Sequence, residues 1–543
     1  MGRQRSVTGL PSQDATSAVE IVREKPWAHW RPRLEVLLAL LALVPIGLFL
    51  AASLGRLGSA IPLEQLEGSM LLAAERVAHG QPIYVRPNFT FIPYMYAPAY
   101  YYVSGWAVRL LGPRFLALRL VSLLSTCASM AVIYLFVFLE APGTRARRHL
   151  AAFAGAALYV AAYPWTREWF DLGRLDSLYI LLLLLALLST RYLHPIFAAA
   201  VWTLAFLAKQ TIFPVALVML CVDWKRPRRL LLGLGSFLLM TAASSRLLDH
   251  ATDGWFWFYA FTVPHANADL RLRPAVSYVP SQLIGPFGVA LLVIVMAWVW
   301  TRPSLANFRT RFYLVAGAAL FGLCWFLQAH AGATANTPMP AYAVLAVIFG
   351  ISFARLDAAF AFGCREMARV FLLGAVAIPL VSWIYDPQDL TPHPDLITSQ
   401  QELISWLRVF PGDVFLPSNP YEGVLAGKQW HPDIAALHDA LRPNLPGVDD
   451  GLRAKIAEEV DQSKFDAIVL DGLPEDILPG QPWLPADLSQ RYPIVGIVPG
   501  ADVNDLFGPH ASYFLLPCRE KGLALAHGWR LLEPGGQSAC KSD

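Results

Sequence analysis

The chain has 543 residues, 56% of them hydrophobic and only 15% charged. A soluble globular chain carries roughly 25% charged residues, so an ordinary soluble domain is excluded and apolar runs crossing a bilayer, about 20 residues each, are expected. The formal net charge of +3 comes from arginine clusters between those runs, a topology signal and not a footprint for nucleic acid.

Residues 1–33 are polar and basic and lack the apolar stretch of a signal peptide, which predicts a disordered cytoplasmic tail. A first span at about 34–54 follows Arg31 and Arg33, so it runs from inside to outside. The segment 96–112 is short, holds Arg109 and carries several tyrosines. If it crossed, Arg145, Arg147 and Arg148 would lie outside, so it reads as a helix along the outer surface. The first external loop then covers about 55–116. Spans follow at about 118–139, 150–165, 177–193, 195–208, 211–223, 230–248, 280–300, 312–328, 340–354 and 370–385. This parity keeps the runs 225–229 and 302–311 inside and places the loops 167–176 and 249–279 outside. Joining 195–223 into one helix would bury Lys209 mid-bilayer, at a cost of several kcal/mol. From about 386 the pattern changes to short apolar runs, 413–416 and 465–470, alternating with helical patterns at 398–409, 432–442 and 449–463. Such alternation predicts an α/β domain over 386–543. Cys518 and Cys540 fall within it and either pair, in an oxidising compartment, or stay free. The expected fold is a polytopic α-helical membrane protein of about eleven spans over 34–385, with an external C-terminal α/β domain.

The external loops carry the residues suited to chemistry. Glu67, beside Gly68 in the first loop, is placed either as a general base for an incoming hydroxyl or as an acid at a helix start. In the run Arg167-Glu168-Trp169-Phe170-Asp171-Leu172-Gly173-Arg174-Leu175-Asp176, Arg174 offers a planar fork to an anionic group and Asp176 a positioning carboxylate. Mutual salt bridges at the interface would explain the same run. Lys209, at a tight outer turn, is a snorkelling lysine or a phosphate contact. His265, with Arg271 and Arg273, follows an aromatic stretch that suits either an interfacial belt or a lipid-phosphate surface.

In order along the chain stand Leu66-Glu67, Gly80-Gln81-Pro82-Ile83-Tyr84, Ala97-Pro98-Ala99-Tyr100-Tyr101, Arg174-Leu175-Asp176 and Lys209-Gln210-Thr211. This order resembles the integral-membrane GT-C glycosyltransferases, in the branch of protein O-mannosyltransferases, aminoarabinose transferases and lipid-A glycosyltransferases. The resemblance covers about 34–350 and departs at Leu66, where that family usually has the first of two acids. It implies inverting transfer of a sugar from a polyprenyl-phosphate donor to a hydroxyl of a lipid, glycan or protein acceptor. Glu67 would be the base, and Arg174, Asp176, Lys209 and His265 would serve the donor phosphate. It implies no cofactor beyond a divalent metal used by some members, for which Asp176 and Glu168 are the available ligands. It also implies a bacterial inner-membrane location, N-terminus inside and C-terminal domain outside. The competing reading is a transporter or flippase for a lipid-linked or anionic solute. A binding protein for a surface polymer is the third. Transporters place ionisable groups near the bilayer midplane, whereas the charges here gather at the outer edge.

Overall fold

A computed structural model describes residues 30–532 apart from 331, 361–365, 442–448, 462–463, 471–483, 485–487 and 506–507. The expected tail falls almost entirely outside the described residues, as do Cys540 and much of the segment between the second and third strands. Every predicted span coincides with a helix. In order these are α1 (Trp30–Leu57), then two short helices α2 (Glu67–Ala78) and α3 (Ala99–Leu111), then α4 (Phe115–Glu140), α5 (Arg145–Ala161), α6 (Asp176–Tyr192), α7 (Pro195–Ala208), α8 (Phe213–Leu220) and α9 (Pro227–Ala251). A broken segment holds α10 (Trp255–Trp257), α11 (Val263–Ala266) and α12 (Leu272–Tyr278). Four longer helices complete the bundle: α13 (Gly285–Thr301), α14 (Phe308–Gln328), α15 (Met339–Ala359) and α16 (Glu366–Val381). Among the described residues, six helices are long and apolar enough to cross a membrane, and shorter apolar helices cover 195–208, 210–220 and 367–381. Lys209 breaks the run between α7 and α8, as its charge predicts.

Without a hydrophobic force between helices in lipid, close packing of small residues holds a bundle together. Here α15, the most buried of the long helices, crosses α5 at reciprocal glycines. A Cβ on Gly155 would stand 3.0 Å from the Ala346 carbonyl, and one on Gly350 2.9 Å from the Ala151 carbonyl. The alanine-rich face of α5 (Ala151, Ala154, Ala157) lies in the same contact layer.

The segment 96–112 contains α3, which packs on α2 with Gly105 against Val77. The Gly-x-Pro-x-Tyr stretch proves to be a helix stop. Gly80, at φ +73°, follows α2, and the amides of Gly80 and Gln81 donate to the carbonyls of Val77 and Arg76 at 3.0 and 2.8 Å. That is the glycine-terminated helix end in which two stranded carbonyls regain donors.

Beyond α17 (Pro394–Val409), the C-terminal region builds a five-stranded sheet in the order β1-β2-β4-β3-β5. The strands are β1 (Asp413–Phe415), β2 (Phe465–Leu470), β3 (Ile494–Asp505), β4 (Gly508–Leu516) and β5 (Arg530–Leu532). β1 and β2 are parallel, as expected of strands joined through helices, here α18 (Pro420–Leu425), α19 (Ile434–Leu441) and α20 (Asp449–Asp461). The last three strands add antiparallel, so the sheet is mixed. Cys518 is disulfide-bonded. Gly350→Ala should destabilise the bundle by about 1–3 kcal/mol through overpacking, read as a lowered melting temperature in detergent.

Candidate functional site

The loop after α1 turns into α2 at Glu67, an acid in the first turn of its helix. Its carboxylate is fully buried and fully occupied. Oε1 accepts from Gly173 N at 2.6 Å and Arg119 Nε at 3.1 Å; Oε2 accepts from Leu63 N and Arg119 Nη2, both at 2.7 Å. Arg119, one turn into α4, spends its remaining hydrogens on the carbonyls of Arg56, Ser59 and Ile61. A carboxylate has about four acceptor sites and a guanidinium five donors, so this buried pair is close to saturated. Burial pushes the Glu67 carboxyl up, but the Arg119 charge and its hydrogen bonds outweigh that and hold it below its ordinary value.

The Glu67–Gly173 bond ties this anchor to the loop 162–175. Ser122 and Thr126 of α4 fix the same loop by donating to the carbonyls of Arg174 and Phe170. A Cβ on Gly173 would lie 3.1 Å from Glu67 Oε1, so glycine is what allows the approach. The loop delivers Arg174, whose Nη1 donates to Glu64 Oε2 at 2.9 Å and whose Nη2 donates to the Tyr96 hydroxyl at 3.1 Å. Two residues on, Asp176 opens α6. Its Oδ1 accepts from Lys209 Nζ at 2.8 Å, and its Oδ2 accepts from Trp169 Nε1 at 2.7 Å and Asn336 Nδ2 at 3.1 Å. Gln210 Nε2 donates to the carbonyls of Met95 and Ala260.

The structure therefore brings Arg174, Asp176 and Lys209 into one cluster and sets Glu67 behind it, one glycine away. It leaves His265 outside: that residue is exposed at the end of α11, and its side chain makes no hydrogen bond or ion pair with the cluster among the described residues. Glu67 as a base facing substrate meets a physical obstacle, because every acceptor position on its carboxylate is taken. Glu64 is placed differently. Only its Oε2 is engaged, by Arg174 and by Leu66 N at 3.1 Å, and Oε1 has no partner among the described residues. Burial raises the Glu64 carboxyl, Arg174 pulls it back and the nearby Glu67 charge adds to the rise, leaving it at about 7. The cluster also keeps unused donors and acceptors. Arg174 Nε, Gln210 Oε1 and the Tyr259 hydroxyl are buried with no hydrogen-bond partner among the described residues. Lys209, with a side chain 18% exposed, has bonded one of its three hydrogens.

Beside Gln210, an apolar cavity of about 620 Å³ opens between α7, α9 and the broken segment, lined by Phe206, Phe213, Leu238, Trp257 and Phe261. On the other side the C-terminal domain closes over the first loop. Asp433 Oδ2 accepts from Tyr94 at 2.6 Å and from the Ser69 hydroxyl, and His431 bridges the Phe89 carbonyl and Asp413. A Cβ on Gly68 would meet Tyr421 Cβ at 2.7 Å, so the glycine beside Glu67 makes room for this domain.

Glu64, Arg119, Tyr96, Asn336 and Asp433 did not emerge from the sequence. Arg119 carried a signal, a charge inside an otherwise apolar run, and Glu64 stood three residues from Glu67. Asn336 and Asp433 have no local signature, since folding alone brings them there.

No protein-family model matches the chain, and no curated protein matches it. Among solved structures it is similar to ArnT from Cupriavidus metallidurans. The form bound to undecaprenyl phosphate aligns at TM-score 0.55 and 15% identity over 90% of this chain and 98% of that one. The apo form aligns at TM-score 0.56 and 16% identity over 89% and 97%. At that identity the likeness establishes the fold, which is the GT-C-like arrangement implied by the order of motifs.

Arg119→Leu would strand Glu67 as a buried, unpaired charge, which should cost about 3–5 kcal/mol. The double variant Arg119→Leu/Glu67→Leu should recover much of that loss. Thermal unfolding of the two purified proteins checks both outcomes.

Proposed function

We propose that this chain is a membrane glycosyltransferase that uses a polyprenyl-phosphate sugar, with Glu64 as its general base. The observation that carries this reading is the cluster of Glu64, Arg174, Asp176 and Lys209 beside an apolar cavity in a GT-C-like fold. The lipid tail of the donor would lie in the cavity lined by Phe206, Phe213 and Trp257. Its phosphate would sit against Lys209 and Arg174, whose free N–H groups aim at charge that grows as the leaving group departs. An acceptor hydroxyl would give its proton to Glu64 Oε1 while its oxygen attacks the anomeric carbon. The bond from that carbon to the phosphate oxygen breaks on the opposite face, so configuration inverts. The products are the glycosylated acceptor and the polyprenyl phosphate anion, and Glu64 returns its proton to water.

In this reading Glu67 is a positioning residue. With Arg119 it fixes the loop that presents Arg174, and Glu64 supplies the carboxylate that the family pattern would place at position 66. A base that ionises near 7 is matched to neutral solution, where a usable fraction is deprotonated and still able to hold a proton. Asp176 keeps Lys209 in place with its Oδ1 and is anchored in turn by Trp169 and Asn336.

The test is transfer from radiolabelled polyprenyl-phosphate sugars by protein in vesicles. Because the base must be deprotonated, wild-type kcat/KM should fall as pH drops through about 7 and level off above it. Glu64→Gln should lower kcat by roughly 10²–10⁴-fold and abolish that inflection. Glu67→Gln should lower stability and keep the inflection in whatever activity survives. An unchanged pH profile in Glu64→Gln removes the base assignment. Solute flux without sugar transfer would favour the transporter reading instead.

A further inference from the structure

At the end of the bundle away from the cluster, a second groove opens between α13, α14 and α15. Its volume is about 310 Å³, and Trp298, Leu314, Ala318, Phe321, Ile351 and Arg355 are among the residues lining it. Arg355 lies sixteen residues along α15 from Met339, roughly 24 Å at the helical rise, so the two sites sit near opposite faces of the membrane domain. Trp298 and Leu314 are 41% and 48% exposed on the bundle's outer surface, so the groove opens to the surrounding hydrocarbon.

Arg355 is the odd residue in this lining. It is half-buried and makes no hydrogen bond or ion pair among the described residues. Arg309 repels it, and Tyr313 and Glu140 act the other way. The Glu140 carboxylate is already committed: Oε1 accepts from Tyr192 and pairs with Arg191 at 2.8 Å, and Oε2 is held by Arg309. Two guanidiniums, those of Arg191 and Arg309, already hold that one carboxylate, so Arg355 has no acid of its own among the described residues. A cation held at the edge of hydrocarbon without a counter-charge is costly, and an apolar trough leads directly to it.

We propose that this groove binds an anionic glycerophospholipid, with its phosphate on Arg355 and an acyl chain along Leu314, Ala318 and Phe321. The apolar lining selects a lipid over free phosphate, and the excess of guanidinium selects an anionic headgroup over a zwitterionic one. A guanidinium is suited to phosphate because its planar fork can donate two parallel hydrogen bonds.

The full-length protein, placed in nanodiscs of equal phosphatidylglycerol and phosphatidylcholine and released for native mass spectrometry, reads the bound lipid. Wild type should retain phosphatidylglycerol in preference by roughly tenfold, the worth of one charge-assisted contact. Arg355→Gln should bring the two lipids to parity, and Arg355→Lys should keep most of the preference. Ala318 is exposed on the groove wall, so Ala318→Phe fills the trough without entering the core and should remove retention of both lipids. Equal retention by wild type, or an undiminished preference in both Arg355→Gln and Ala318→Phe, overturns the proposal. Displacement of phosphatidylglycerol by an equimolar polyprenyl phosphate overturns it too, in favour of the isoprenoid as occupant.

Discussion

The buried pair of Glu67 and Arg119 is the contact on which this end of the bundle depends. Its hydrogen bonds reach the end of α1, the loop after it, the start of α2, the body of α4 and the turn at Gly173. Three separate stretches of chain, residues 56–67, α4 and the turn at Gly173, meet at two side chains. Buried ion pairs seldom add net stability, because desolvation offsets most of the Coulombic gain. What this pair does supply is a fixed geometry, since neither group can move without stranding the other or several backbone polar groups. That rigidity allows Arg174, which comes from an irregular loop, to be held in place beside Asp176 at the start of α6.

The same contact explains which parts of the site were legible in the sequence. Residues at the ends of apolar runs were, because a membrane sorts charge by depth: Arg174, Asp176 and Lys209 were read on one side and stand together. The roles of the acids were less accessible. Glu64, in the loop, and Glu67, at the start of α2, are three residues apart, and the difference between them lies in partners more than 50 residues away, Arg174 for one and Arg119 for the other. No local pattern records that choice. His265 looked similar to the cluster residues because it shares their aromatic, cationic neighbourhood in sequence, yet α11 leaves it facing away. The helices were readable from apolar length and the break at Lys209 from the cost of burying a charge. Of the strands, β1 and β2 were visible as short apolar runs, whereas β3 to β5 depend on antiparallel partners that bring distant segments together.

The C-terminal domain belongs to the site's surroundings more closely than its sequence suggested. Asp433 bonds two residues of the first loop region, Ser69 and Tyr94, and Tyr421 lies in the space left by Gly68. Two glycines, 68 and 173, therefore flank Glu67: one admits the domain above it and the other admits the loop that carries Arg174.

The proposed chemistry rests on a lipid phosphate held between Lys209 and Arg174, with Glu64 facing the reacting carbon. A cryo-EM structure of the full chain with a polyprenyl phosphate bound tests it most directly. Phosphate oxygens should lie within hydrogen-bond distance of Lys209 Nζ and Arg174, with the isoprenoid in the cavity beside Phe213 and Trp257 and the Glu67–Arg119 pair unchanged. A phosphate bound elsewhere, with Lys209 still closed on Asp176 and that cavity empty of isoprenoid, would contradict it.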